Sequence, residues 1–139
     1  MRGPPVPTPR TDLAAIEQTA RDYIEGLYTG DAARMERALH PELAKRIVRR
    51  DPDSRRSQLV EMSALTLVQI TGARAERPTP VAERQQDVTV LDVFENAASA
   101  KVVAGAWIDY LHLARWNGRW VIVNVLWEMK PGRPFAPWW

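Results

Sequence analysis

The dipeptide Asn117-Gly118 lies between two runs of β-forming residues, 99–115 before it and 119–129 after it. Asn-Gly readily adopts the two positive φ angles of a tight two-residue turn, so the runs are predicted to close as a β-hairpin. Such a turn also fixes register. Trp116 is expected opposite Arg119. Counting outward sets His112 against Val123, Tyr110 against Val125 and Ile108 against Trp127. Those six side chains then share one face, because side chains alternate along a strand. The other face holds Trp107, Asp109, Leu111 and Leu113 against Glu128, Leu126, Asn124 and Ile122. Both faces are largely apolar, whereas a sheet with one solvated face alternates cleanly. One face is expected to cover helices and the other to meet a second copy, which predicts a homodimer through the sheet face.

Upstream the pattern is helical. Thr11 and Asp12 offer an N-cap, and Leu13, Ile16, Ala20, Tyr23, Ile24 and Leu27 form one apolar stripe. Gly30 stops that helix. Asp31 caps a second one that faces Met35, Ala38 and Leu39 inward, and His40-Pro41 breaks it. Pro41 is expected to start a single turn over Glu42 and Leu43. Residues 45–49 read as a short strand and Asp51-Pro52-Asp53 as a turn. A third helix is expected from Ser54 or Ser57 to about Thr71, stopped by Gly72. Residues 88–93 form a strand, 95–98 a turn, and 99–115 one long strand. Helices gathered first and antiparallel strands after them predict an α+β fold. The expected organisation is a disordered proline-rich arm at 1–10, one domain at 11–130, and a Pro/Trp tail at 131–139 ending in Trp138 and Trp139.

The chain of 139 residues has no cysteine, so a disulfide framework and a thiolate metal site are excluded. That fits a reducing compartment. The N-terminal stretch has no apolar run of the kind a secretory signal carries, and a cytoplasmic protein is expected. No apolar run approaches the ~20 residues of a membrane helix. A formal charge of +2 argues against a nucleic-acid partner. His40 and His112 are far apart in sequence and lack matched carboxylates, so no metal is expected. No phosphate loop, nucleophile elbow or zinc helix is present, and no cofactor is expected.

The segments Asp22-Tyr23-Ile24-Glu25, Thr29-Gly30-Asp31 and Leu39-His40-Pro41 resemble the opening of NTF2-like domains. The run from Asp109-Tyr110-Leu111-His112 through Asn117-Gly118 to Trp127 resembles the closing hairpin of the lumazine-binding branch of that superfamily, which shares its fold with SnoaL-like proteins and ketosteroid isomerase. The resemblance implies a cone of three N-terminal helices packed on a curved antiparallel sheet, usually dimeric, with a pocket between helices and sheet. In ketosteroid isomerase the oxyanion-binding tyrosine lies seven residues before a Gly-Asp pair, as Tyr23 lies before Gly30-Asp31. Its pocket tryptophan on the last strand matches Trp127. By the hairpin count, its second donor, an aspartic acid, falls at Tyr110. Its general base falls near Ile47, so that base is missing here.

The ligand-binding set implied by this register is Tyr23, Leu27, Ile108, Tyr110, His112, Val123, Val125 and Trp127, with Asp109 on the dimer side. Such a lining suits a small apolar or aromatic ligand. Tyr23 and Tyr110 read equally as core tyrosines with backbone partners, and His112 as a packed, hydrogen-bonded histidine. Two function classes remain open. One is a small-molecule-binding protein. The other is an isomerase, cyclase or epoxide hydrolase with His112 as base and Tyr23 and Tyr110 as donors.

Overall fold

The computed structural model describes residues 10–133. The expected proline-rich arm, apart from Arg10, and the tail beyond Arg133, with Trp138 and Trp139, lie outside the described residues. Helix α1 spans Arg10–Thr29 and buries the predicted stripe of Ile16, Ala20, Tyr23, Ile24 and Leu27, while Leu13 stays partly exposed. It ends where Gly30 turns to a φ of +77° and the backbone N–H groups of Gly30 and Asp31 both donate to the Gly26 carbonyl at 2.9 Å. The Asp31 carboxylate then accepts from the Arg34 N–H at 3.0 Å and opens α2 (Ala32–Ala38). From α2, Arg34 reaches back to Asp22 and Glu25, which locks the two helices together.

The middle of the chain differs from its sequence reading. Strand β1 begins at once after α2 and runs the whole length Leu39–Arg50. No separate turn forms over Glu42 and Leu43; Pro41 is accommodated before the regular pairing at Ala44, where the ladder shifts. The turn at Asp51-Pro52-Asp53 holds, but it leads into strand β2 (Ser57–Ser63), not into a helix. Strand β2 pairs antiparallel to β1, with Val48 opposite Leu59 and Lys45 opposite Met62. Helix α3 is therefore shorter, Ala64–Ala73, and its cap is Ser63, whose hydroxyl accepts from the Thr66 N–H at 3.1 Å. Strand pairing with β1 overrides the helix-forming composition of Gln58 to Met62.

After a short 3₁₀ turn at Val81–Glu83 come β3 (Gln86–Phe94), β4 (Ala97–Ala104), β5 (Trp107–Trp116) and β6 (Arg119–Met129). The expected single strand over 99–115 is two strands, broken at Gly105. A side chain there would meet the Glu83 carbonyl oxygen at 2.6 Å, and the Gly105 N–H donates to the Tyr28 hydroxyl at 3.0 Å. The six strands run in the order β2-β1-β6-β5-β4-β3. All neighbours are antiparallel except β1 and β6, which are parallel, so the sheet is mixed rather than wholly antiparallel. No hairpin joins β1 to β6, so hairpin geometry does not set their relative direction. The three helices pack on one face of this sheet, and the α+β class expected from the sequence is the one observed.

The hairpin at Asn117-Gly118 forms with φ of +51° and +79°, and Trp116 pairs with Arg119 as predicted. The count holds through Leu113 opposite Ile122. Then it slips by one residue: His112 pairs with Asn124, Tyr110 with Leu126 and Asp109 with Trp127. Val123 is the extra residue of a β-bulge. From that point the odd residues of β5 share a side with the odd residues of β6. Asp109, Leu111, Leu113, Val125 and Trp127 face the helices, and Tyr110 and His112 face away.

The Gly30 turn yields a direct prediction. A Cβ there would lie 2.4 Å from the Ala75 backbone, and the positive φ adds strain. Gly30→Ala is expected to cost about 2 kcal/mol or more and to lower the thermal midpoint by several degrees. Circular dichroism melting checks it.

Candidate functional site

Alternation along three strands and one helix brings four unlike side chains to one place. On β1, Leu43, Lys45 and Ile47 point inward together. On β5 Asp109 points inward in line with Leu111 and Leu113, and on β6 the bulge turns Trp127 inward beside it. Helix α1 lays Tyr23 over them. Tyr23 and Asp109 are 0% exposed, Lys45 2% and Trp127 4%. The same core holds Leu27, Ile47, Leu111 and Val125. A lysine and an aspartate therefore sit in apolar surroundings, an arrangement that is costly unless the charges are paired or neutralised.

The Lys45 ammonium donates to the Tyr23 hydroxyl at 2.7 Å. Its nitrogen also lies 5.1 Å from the centroid of the Tyr23 ring and 5.2 Å from that of Trp127, within cation–π range. The indole N–H of Trp107 donates to Asp109 Oδ2 at 2.8 Å. Trp107 is only half-buried, with its ring 6.0 Å from that of Tyr28, so it stands between Asp109 and the solvent. The Tyr23 hydroxyl acts on the protonation of Asp109 as well. Even so, Asp109 Oδ1 is buried without a hydrogen-bond partner.

Burial drives the protonation of all three groups toward neutrality. It pushes the Lys45 amine down, although the nearby Asp109 carboxylate pulls it back. It pushes Asp109 above the ordinary carboxylate range, against the pull of Lys45, Trp107 and Tyr23. Tyr23 goes well up, from burial first and the Asp109 charge second. The cluster thus holds an amine whose pKa is pushed down, an acid whose pKa is pushed up, and a hydroxyl bonded to the amine.

The sequence-predicted residues divide. Tyr23, Leu27, Val125 and Trp127 lie in the interior. Tyr110 does not: it is 45% exposed on the outer face, with the Lys101 ammonium 5.8 Å from its ring centroid. His112 is also exposed there, its Nδ1 3.3 Å from Asn124 Nδ2. Ile108 and Val123 are partly buried and lie outside the cluster, Ile108 on the outer face and Val123 at the bulge. The register that placed all of these inward is corrected by the Val123 bulge, and so is the placement of Asp109 outside. The acid carried to Tyr110 by the uninterrupted count moves to Asp109. Lys45 and Trp107 were missed as site residues. Their signal was present: a lysine between Leu43 and Ile47 at strand spacing belongs to the buried side.

The outer face is more mixed than the sequence reading held. Tyr110, Leu126, Val48 and Leu59 are exposed there, but Arg46 bonds Asn124 Oδ1 at 3.2 Å and Glu61 at 3.4 Å among them. A surface cleft of about 630 Å³ lies elsewhere, where β1 and β6 end at Arg49, Arg50 and Lys130, and none of the predicted site residues lines it. Among the described residues no group of three or more His, Asp or Glu side chains is placed to hold a metal, and no helix is long and apolar enough to cross a membrane.

A three-helix layer on one face of a six-stranded mixed sheet is the NTF2-like fold. Solved structures agree. An NTF2-like protein of unknown function from Shewanella baltica OS155 is similar at a TM-score of 0.68 and 19% identity, over 91% of this chain and 100% of that one. One from Silicibacter pomeroyi DSS-3 gives 0.68 and 18%, over 88% and 99%. One from Methylobacillus flagellatus KT gives 0.64 and 17%, over 92% and 99%. No curated protein matches the chain. The family model described as "Putative lumazine-binding" matches residues 11–128, and the chain belongs to that family.

The raised Asp109 has a consequence for stability. A carboxyl whose folded pKa lies above its unfolded value stabilises the fold fully below the unfolded pKa and loses that contribution as pH rises through the folded one. The stability of the wild type minus that of Asp109→Asn is therefore expected to fall as pH rises from about 4, the unfolded value for Asp. Urea denaturation at a series of pH values checks it, and a difference that grows with pH contradicts the raised pKa.

Proposed function

We propose that the protein binds a small, flat organic molecule at the Tyr23–Lys45–Asp109 cluster, between Trp107 and Trp127. The observation that carries the reading is Asp109 Oδ1, a buried acceptor with no partner. Leaving such an atom unsatisfied costs about 1–3 kcal/mol. A ligand N–H or O–H would relieve that cost, while the Lys45 amine and the Tyr23 hydroxyl would bind a neighbouring acceptor. Trp127 and Trp107 offer aromatic surface. A ring with a donor next to an acceptor suits this arrangement, as in pterin-like or polyketide-like compounds. The family's description points the same way.

The isomerase, cyclase or epoxide-hydrolase reading relied on His112 and Tyr110, which lie on the other side of β5 from Tyr23. Binding is therefore the reading retained. A thermal-shift screen with pterin-like and polyketide-like rings tests it. A compound at about a hundred times its Kd should stabilise the wild type by about 2.7 kcal/mol. Asp109→Asn, which turns an acceptor edge partly into a donor, should lose most of the shift. A wild type indifferent to every such ring contradicts the proposal.

We also propose that the outer face joins two copies. Exposed Tyr110, Leu126, Val48 and Leu59 supply its apolar surface, and Arg46 and Glu61 its polar contacts. Sedimentation at micromolar concentration is expected to give a dimer, and Leu126→Arg a monomer. A wild-type monomer would refute this interface.

A further inference from the structure

We propose that Lys45 is a carbonyl-capturing amine, which condenses with an aldehyde or ketone group of the bound molecule and holds it as an imine. This rests on the reading of the cluster as the ligand site and names the substrate class for it.

The choice of residue is the first support. The chain carries nineteen Lys and Arg residues, and only three of them, Lys45, Lys101 and Lys130, are lysines. An arginine keeps its proton in any protein setting, whereas a buried lysine can give it up and become a nucleophile. Among the described residues, the most buried cationic position is a lysine. The second support is geometry. A structural ion pair would aim the amine at the carboxylate. Here the amine donates to the Tyr23 hydroxyl at 2.7 Å, and Asp109 Oδ1 is left without a partner. The third is the acid. Burial favours the proton on Asp109 and its absence from Lys45, the pairing that a condensation needs.

The step balances without an oxidant or reductant. The amine lone pair attacks the carbonyl carbon, and the C=O π pair moves to oxygen. The nitrogen loses one proton and the oxygen gains one, with the Tyr23 hydroxyl as relay. The resulting carbinolamine loses its hydroxyl, which leaves as water with a proton from Asp109. The nitrogen lone pair closes the C=N bond. One amine and one carbonyl compound give one imine and one water. The protonated imine then faces the Asp109 carboxylate.

The test treats the full chain with benzaldehyde and sodium cyanoborohydride, and separately with 2,4-pentanedione, followed by intact mass and peptide mapping. One adduct is expected, at Lys45. It should form several-fold faster than at Lys101 or Lys130, since a lowered lysine pKa gives more neutral amine. Lys45→Arg, checked for folding by circular dichroism, should lose it, and Tyr23→Phe should slow it. No Lys45 adduct, or one forming no faster than at the other lysines, overturns the proposal. If ring compounds still shift the wild-type melting point in that case, binding stands and only the covalent step falls. Loss of both overturns both.

Discussion

One extra residue in β6, Val123, decides which side of β6 meets the helices beyond the bulge. Near the turn, β5 and β6 pair as a plain two-residue hairpin dictates, with Trp116 opposite Arg119 and Leu113 opposite Ile122. Beyond the bulge every pair is displaced by one, and side-chain period two converts that displacement into an exchange of faces. Without it, Asn124, Leu126 and Glu128 would face the core beside Asp109 and Leu111. With it, Val125 and Trp127 do. The aromatic side chain beside Lys45 and Asp109 is thus set by a local irregularity a few residues from the turn.

The polar members of the cluster reach the interior independently of that exchange. Lys45 reaches the interior by the independent alternation of β1, which runs parallel to β6 and places Lys45 beside Val125. Had the bulge been absent, Trp127 would turn outward and the amine would lose an aromatic neighbour. Asp109 offsets part of its desolvation, and Tyr23 takes its hydrogen bond. The arrangement still strains against burial, because a buried lysine and aspartate with a spare acceptor oxygen stabilise a fold poorly compared with apolar residues of like volume.

Much of the fold was legible in the residues. The stripe on α1, the stop at Gly30, the Asp31 cap and the Asn117-Gly118 turn are local signals with local causes, and each is found as read. Ser57–Ser63 was not legible as a strand, because its composition suits helix and only pairing with β1 decides otherwise. The break at Gly105 was hidden inside a continuous β-forming run, and its cause is a contact with Glu83 far away in sequence. The site suffered from the same lack of long-range information. Tyr23 and Leu27 lie in the interior as the helix stripe reads, and Val125 and Trp127 as the resemblance implies. Tyr110 and His112 were misplaced because no residue near Val123 announces a bulge; Val-Ile-Val-Asn-Val reads as unbroken strand. Lys45 could have been read from Leu43, Lys45 and Ile47, had the strand been extended back to Leu39.

The buried amine is the feature on which the proposed chemistry turns, and a lysine-selective NMR titration reports on it directly. Biosynthetic ¹³Cε-lysine labelling leaves the amine unmodified, and the chain's three lysines give three signals. One signal, absent in Lys45→Arg, should carry a ring-current shift from Tyr23 and Trp127 and titrate below the usual lysine value of about 10.4. Three signals without such a shift, none titrating below that value, would place Lys45 outside the core and contradict the buried Tyr23–Lys45–Asp109 cluster.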